Sequence, residues 1–236
     1  MAFDSAFLIF GHRGAAGLEP ENTLRSFLRA INLGVDAVEL DIRLKDGRLL
    51  VTHDDTVHRC TNGSGSLAEL KLDQIRTLDA GKGENIPFLE EVFHHLPQSV
   101  AINIEIKTTP RVNETVLALT KVIANFPGVP VLVSSFQHEA LECFRQHDKK
   151  TKVAPLYHRA KHDMLETASK LSAWSINISR KIVSQKLIAE IQNSGFKTYV
   201  WTVNKTEEAR RFKSWGVDGV MTDYPDRLVS MPGKNP

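Results

Sequence analysis

A chain of 236 residues, 42% hydrophobic and 25% charged, is long enough to enclose one α/β core and has the composition of an ordinary water-soluble globule. Its 30 basic and 28 acidic residues leave a formal charge of +2, too small a field to recruit nucleic acid or an anionic membrane surface, so any affinity for phosphate has to be local. No apolar stretch approaches the roughly 20 residues that span a bilayer, and stable membrane insertion is not expected.

The first apolar run, Ala6 to Phe10, lacks the basic flank and the length of a signal-peptide core and reads as a strand. Strand-like runs lie at 7–10, 37–42, 100–106, 131–135, 153–156, 174–178, 198–203 and 218–222, which makes eight. Segments between them, such as Asn22 to Leu33, Asn113 to Asn125, Glu139 to His147 and Ser184 to Ser194, carry apolar residues at spacings of three and four, as amphipathic helices do. Gly34, Gly195 and Gly216 stand where helices end on a left-handed residue. This alternation predicts a TIM-like (β/α)₈ barrel forming one catalytic domain over residues 1–236, with an open doubly wound sheet as the alternative. Two places interrupt it. Leu49 to Asp54 follows the second strand through Lys45-Asp46-Gly47, a hairpin signal. Residues 55–99 carry little strand pattern and, with the polar loop Thr61 to Ser66, read as a small insertion and connecting segment. The tail Ser230 to Pro236 is expected to be disordered.

Barrel strands turn alternate residues to the helices and to the barrel axis. In Ile102-Asn103-Ile104-Glu105-Ile106-Lys107 the isoleucines share one face, and in Val38-Glu39-Leu40-Asp41-Ile42 apolar residues again alternate with carboxylates. If the apolar faces pack on helices, Glu39, Asp41, Glu105 and Lys107 project to the barrel interior or its mouth; the alternative is an amphipathic strand with its charges in water. Three converging carboxylates require a compensating cation, and an oxygen-only ligand set suits one divalent Mg²⁺ or Ca²⁺. Taking Lys45-Asp46-Gly47 as a three-residue loop sets Leu44 opposite Arg48 and His53 opposite Glu39, beside the carboxylates. The first strand ends at Gly11-His12-Arg13-Gly14, where bracketing glycines let the chain turn sharply with both side chains facing the mouth. Among the other histidines, His58, His94, His95, His138, His147 and His162 fall in segments that suit a surface role, and His158 follows a strand end. Cys60 and Cys143 sit in no metal-binding or disulfide spacing, as in a reduced cytoplasmic protein.

Cleavage of a phosphodiester needs charge neutralisation on the phosphoryl oxygens, a base for the attacking hydroxyl and an acid for the departing alkoxide. The cation with Arg13 and Lys107 can hold the phosphate, and His12 and His53, whose ordinary pKa lies near neutrality, can carry the proton transfers. Trp201, near the end of the seventh strand, can wall the carbon skeleton of a substrate or simply fill the core.

His12-Arg13-Gly14, Pro20-Glu21-Asn22-Thr23, Glu39-Leu40-Asp41, His53-Asp54, Glu105-Ile106-Lys107, Trp201-Thr202-Val203-Asn204 and Asp218-Gly219-Val220 with Thr222-Asp223-Tyr224-Pro225 together resemble the glycerophosphodiester phosphodiesterase family. The resemblance implies a TIM-like barrel with a small insertion after the second strand and its hairpin. It implies metal ligation by Glu39, Asp41 and Glu105, acid–base work by His12 and His53, and phosphate binding by Arg13 and Lys107. The substrate would be a small glycerophosphodiester such as glycerophosphocholine or glycerophosphoethanolamine, cleaved to glycerol 3-phosphate and an alcohol, with either a glycerol hydroxyl or water attacking. Two other readings compete: a lysophospholipase D acting on lysophospholipids, for which the polar loop 61–66 offers no apolar surface, and a non-catalytic barrel that binds phosphate esters.

Overall fold

The computed structural model describes Phe3 and residues 7–231; the tail expected to be disordered lies outside the described residues from 232 onward, and Met231, counted with that tail, is buried in the core. Nine strands are present among the described residues: β1 (Leu8–Gly11), β2 (Ala37–Lys45), β3 (Arg48–Val51), β4 (Ala101–Ile106), β5 (Val131–Ser135), β6 (Lys152–Tyr157), β7 (Ser175–Ser179), β8 (Lys197–Trp201) and β9 (Gly219–Thr222). The helices between them are α1 (Leu24–Leu33), α2 (Leu72–Arg76), α3 (Leu89–His95), α4 (Val112–Ala124), α5 (His138–His147), α6 (Met164–Lys170), α7 (Gln185–Asn193), α8 (Thr206–Ser214) and α9 (Pro225–Leu228). All strands but β3 run parallel in the order β1-β9-β8-β7-β6-β5-β4-β2, and β1 also pairs with β2, which closes an eight-stranded barrel. A right-handed strand-helix-strand repeat has nowhere else to put its last edge once the chain of strands has curled fully round.

Side-chain alternation splits the interior into two apolar clusters. Val38, Leu40, Ile42, Ile102, Ile104 and Ile106 face the helices, whereas Leu8, Phe10, Ala37, Ala101, Leu132, Tyr199 and Met221 fill the barrel axis. The axial cluster takes the N-terminal half of the strands, with the Phe10 and Tyr199 rings 4.9 Å apart. Each fully buried Phe or Leu contributes about 1.5–3 kcal/mol. Moving two residues at a time along β2, Ala37 belongs to this plug and Glu39 and Asp41 rise above it toward the C-terminal mouth, so the site stands on a dry floor.

Local signals explain the elements that carry the site. The Thr23 side chain caps α1 by accepting from the Ser26 N–H, and Gly34 ends it at φ 91°. Residues 55–99 have more structure than their weak strand pattern conveys. Leu50, Val57, Leu67, Ile75, Ala80 and Ile86 form a small core of their own, whereas Leu89, Val92 and Phe93 of α3 pack into the main core in the position of the helix between the second and third barrel strands.

The hairpin register differs from the sequence expectation. Lys45, not Leu44, faces Arg48, with Ile42 opposite Val51, because the loop has two residues, Asp46 (φ 48°) and Gly47 (φ 75°). Two successive left-handed residues make the tight primed turn that matches strand twist, whereas a three-residue loop would shift every pair by one. The ladder then stops at Val51, and the Thr52 N–H reaches the Asp41 carbonyl at 3.0 Å. His53 therefore does not pair opposite Glu39; it lies beyond the ladder, its carbonyl held by the Arg43 Nε at 2.9 Å.

Candidate active site

The turn after β1 is shaped by α1. Arg13 (φ 51°) and Gly14 (φ 81°) both adopt the left-handed conformation, and the Arg13 carbonyl accepts from the Asn22 N–H at 3.1 Å and the buried Ser26 hydroxyl at 2.9 Å. A Cβ on Gly14 would fall 2.5 Å from both the Ser26 carbonyl carbon and its Oγ, so only glycine lets the turn sit against the helix. This presentation has two consequences. The Arg13 N–H donates to Glu39 Oε2 at 2.9 Å, and its guanidinium Nε lies 3.2 Å from Asp41 Oδ2 while Nη1 donates to Glu21 at 2.8 Å.

Glu39, Asp41 and Glu105 each offer a carboxylate oxygen within 4.8 Å of the others. Register explains the convergence: Asp41 of β2 pairs with Glu105 of β4, and both strands are parallel neighbours with the same inward face. Glu39 and Asp41 are 2% and 1% exposed, and burial next to Asp41 pushes the Glu39 carboxyl up to about 7. Burial, with Asp41 beside it, also raises Glu105, although Lys107 draws it back. Asp41 resists burial because Lys107 and Arg13 hold its carboxyl below the usual range; Lys107 Nζ lies 3.3 Å from Asp41 and 2.5 Å from Glu105. Asn22, itself at φ 58°, grips Asp41 twice, donating to Oδ2 at 2.9 Å and accepting from the Asp41 N–H at 3.3 Å. Two cations are too few for these three carboxylates, two buried and one partly buried, and the raised Glu39 shows the shortfall. A hard divalent ion with all-oxygen ligands fits the donor set and makes good the missing charge.

Both histidines are oriented by aspartates. His12 Nδ1 is 2.6 Å from Asp223 Oδ1 just past β9, which leaves Nε2 directed at Glu39, 3.8 Å away. Asp223 is itself fixed by Asn204, which donates to Oδ2 at 2.8 Å and accepts from the Asp223 N–H at 2.9 Å. His53 Nδ1 is 2.6 Å from Asp54 Oδ1. Arg59 links both halves of the site: its Nε donates to Asp54, and both Nη groups donate to Glu21, the partner of Arg13, at 2.8 Å. Although burial works against it, the two arginines hold the Glu21 carboxyl down at about 2. Burial also opposes protonation of His12, yet Glu39 and the bond to Asp223 lift its pKa above the ordinary value; at His53 burial, aided by Arg13 and Lys107, lowers it.

The structure thus brings His12, Arg13, Glu39, Asp41, Glu105 and Lys107 into one contact network at the C-terminal mouth, with His53 beside it through Asp54 and Arg59. Trp201 closes β8, across the eight-strand ring from β4, its ring edge-on to Phe136 at 5.4 Å. Glu21, Asn22, Asp54, Asn204 and Asp223 stood in the motifs of the resemblance without a role, and Arg59 in none of them. Asp54 adjoins a candidate histidine and was open to suspicion; Asp223 stands 211 positions from His12, and nothing local to either residue connects them.

Oxygen ligands for a hard cation next to two aspartate-held histidines, and cations that neutralise rather than ligate, suit the charge of a phosphoryl group, not an acyl or glycosyl centre. Fold and site together define a metal-dependent phosphodiesterase built on a barrel. Comparisons narrow the class. The glycerophosphoryl diester phosphodiesterase family profile matches residues 12–227, and the chain belongs to that family. It is 35% identical to the glycerophosphodiester phosphodiesterase of Caldanaerobacter subterraneus, over 96% of this chain and 98% of that protein. A phosphodiesterase from Oleispira antarctica, solved with its product sn-glycerol-3-phosphate, superposes with a TM-score of 0.93 at 28% identity, covering 97% of this chain and 98% of that one. Human lysophospholipase D is 26% identical over 92% of this chain and 83% of its own length.

Proposed function

We propose that this single barrel domain hydrolyses small glycerophosphodiesters, glycerophosphoethanolamine and glycerophosphocholine among them, to glycerol 3-phosphate and a free alcohol in the cytoplasm. The observation that carries the reading is the convergence of three carboxylates, two buried and one partly buried, too many for their neighbouring cations, with two histidines whose Nδ1 atoms are each tied to an aspartate. Mg²⁺ or Ca²⁺ held by Glu39, Asp41 and Glu105 would supply Lewis acidity to the phosphoryl oxygens. Arg13 and Lys107, both lying against Asp41, bind the remaining phosphate oxygens and keep the substrate from being repelled by the carboxylates.

Asp223 fixes the His12 tautomer with the proton on Nδ1, so Nε2 is free to take a proton from the attacking hydroxyl. His53, tied through Nδ1 to Asp54, returns a proton to the departing alkoxide from its other nitrogen. Burial and the neighbouring side chains alone favour the reverse roles, His12 being lifted by Glu39; a cation held by Glu39 would withdraw that charge and favour His12 as the base. Trp201 forms an apolar wall for the glycerol carbons. Cys60 and Cys143 are both free, as in a reducing compartment, and no helix among the described residues is long and apolar enough to cross a membrane.

The test is release of glycerol 3-phosphate from glycerophosphoethanolamine, with EDTA and with Mg²⁺ or Ca²⁺ restored, alongside lysophosphatidylcholine. Turnover of the small diester, lost to the chelator and regained with one ion, is expected. Faster turnover of the lysophospholipid would move the chain to the lysophospholipase D reading.

A further inference from the structure

A groove of about 450 Å³ runs outward from Lys107 between the β2–β3 hairpin, the inserted segment at Ser66 to Ala68 and the loop from Thr108 to Arg111. Lys107, which touches Asp41 and Glu105, also forms part of its wall, so the groove and the catalytic mouth share this residue. It opens on the β2 and β4 side of the barrel, whereas Trp201 on β8 lies across the ring. A phosphodiester has two arms on opposite sides of one phosphorus. With the glycerol arm against Trp201 and the phosphate at the carboxylates, the other arm would point to the β2 and β4 side, where this groove lies.

The groove has a defined charge pattern. Arg43 stands two residues beyond Asp41 on the same face of β2, and it spends only Nε on the His53 carbonyl. Both of its Nη groups are left without a carboxylate partner among the described residues, although the other groove cations have one: Lys45 lies 3.7 Å from Asp46, Arg111 pairs with Glu114, and Lys107 with Glu105. Asp55, exposed on the same wall, is the complementary group. A guanidinium with an open fork matches a carboxylate in two parallel bonds.

We propose that this groove is the subsite for the departing alcohol, and that Arg43 selects head groups that carry a carboxylate, with Asp55 facing their ammonium. The preferred substrate class is therefore an amino-acid head group of the serine type. This rests on the hydrolytic reading above and adds a specificity to it.

Glycerophosphoserine and glycerophosphoethanolamine differ by that carboxylate alone, so the ratio of their kcat/KM values isolates its recognition. The wild-type ratio is expected to favour serine by about 10-fold, as one charge-assisted hydrogen-bonded pair at a partly open site gives. Arg43→Gln is expected to bring the ratio near 1, Arg43→Lys to keep part of the preference, and Asp55→Asn to slow both substrates while leaving the ratio in place. Because Arg43 also holds the His53 carbonyl, a common loss of turnover cancels in the ratio, and the lysine variant separates charge recognition from misfolding. A wild-type ratio of 1 or less, or one that Arg43→Gln leaves unmoved while both diesters are still cleaved, overturns the subsite and leaves the hydrolysis intact. Failure of the wild-type protein to cleave either diester removes the reaction itself, and the subsite with it.

Discussion

Replacing Asp223 by asparagine should damage the site more than removing its side chain altogether. Asn204 cannot turn over, because its Oδ1 accepts from the Asp223 N–H at 2.9 Å and from the Thr222 hydroxyl at 3.1 Å, so its amide always presents a donor to Oδ2 of residue 223, now 2.8 Å away. In Asp223→Asn the new carboxamide must turn its oxygen to Asn204 and its NH₂ to His12. His12 Nδ1 then becomes an acceptor, and the ring proton moves to Nε2, the nitrogen that faces Glu39 at 3.8 Å. A base in the wrong tautomer loses its whole contribution, on the order of 10²–10⁴-fold in turnover. Asp223→Ala frees the ring without inverting it and forfeits one charge-assisted hydrogen bond, about 1.5–3 kcal/mol, or roughly 10- to 100-fold. The assay is single-turnover cleavage of glycerophosphoethanolamine at saturating cation for both variants, with thermal melts to confirm folding. An asparagine variant as active as the alanine one would refute the idea that Asp223 sets the tautomer.

Other consequences follow from the same geometry. A diester whose leaving alcohol is acidic, such as p-nitrophenol, needs no proton on departure, so it should restore turnover to His53→Ala and not to His12→Ala; rescue of the His12 variant instead would exchange their roles. Arg59→Gln breaks the link between Asp54 and Glu21 and should lower kcat about 10-fold, the order of one charge-assisted hydrogen bond, with the fold intact by circular dichroism; an unchanged kcat would make Arg59 a surface residue only. Glu39 takes up its proton near pH 7 in the cation-free fold and near 4.5 when unfolded, so between those values the folded state binds the extra proton and ionisation of Glu39 costs stability as pH rises. Saturating Mg²⁺ or Ca²⁺ should accordingly raise Tm more at pH 8 than at pH 5, and Glu39→Gln should erase the difference; a shift independent of pH would count against it. Gly14→Ala forces a Cβ into the α1 backbone at φ 81° and should cost about 2–4 kcal/mol in denaturant unfolding; a neutral result would show that the turn can move off the helix.

Much of the architecture was legible because a barrel strand has a strict two-residue period. Ile102, Ile104 and Ile106 on one face and Asn103 and Glu105 on the other settle which way a carboxylate points, provided the strand is buried on both sides. That same period is unforgiving at the hairpin. Nothing in Lys45-Asp46-Gly47 specifies that Asp46 itself takes the left-handed conformation, and one residue of slip moved His53 out of the pairing expected for it. His53 still reaches the site because Arg43 and Asp54 hold it after the ladder has ended, a tertiary arrangement without a periodic signature. α3 was obscured for a related reason: at seven residues it is too short to show a helical repeat, although Leu89, Val92 and Phe93 are buried in the core. The aspartate that orients His12 comes from the far end of the chain, and only closure of the barrel brings the two together.

That closure has a consequence for synthesis. β1 leaves the ribosome first among the strands and β9 last, yet β1 has β9 as a neighbour and His12 depends on Asp223. No nascent chain that stops short of Asp223 can seal the barrel or fix the His12 ring, even after every carboxylate of the cation site has been made. The protein is therefore inert throughout its own translation. Cleavage of its substrates can begin only when β9 and Asp223 dock against β1, and a frameshift or premature stop between Glu105 and Asp223 yields a product with every ion ligand and an unoriented His12.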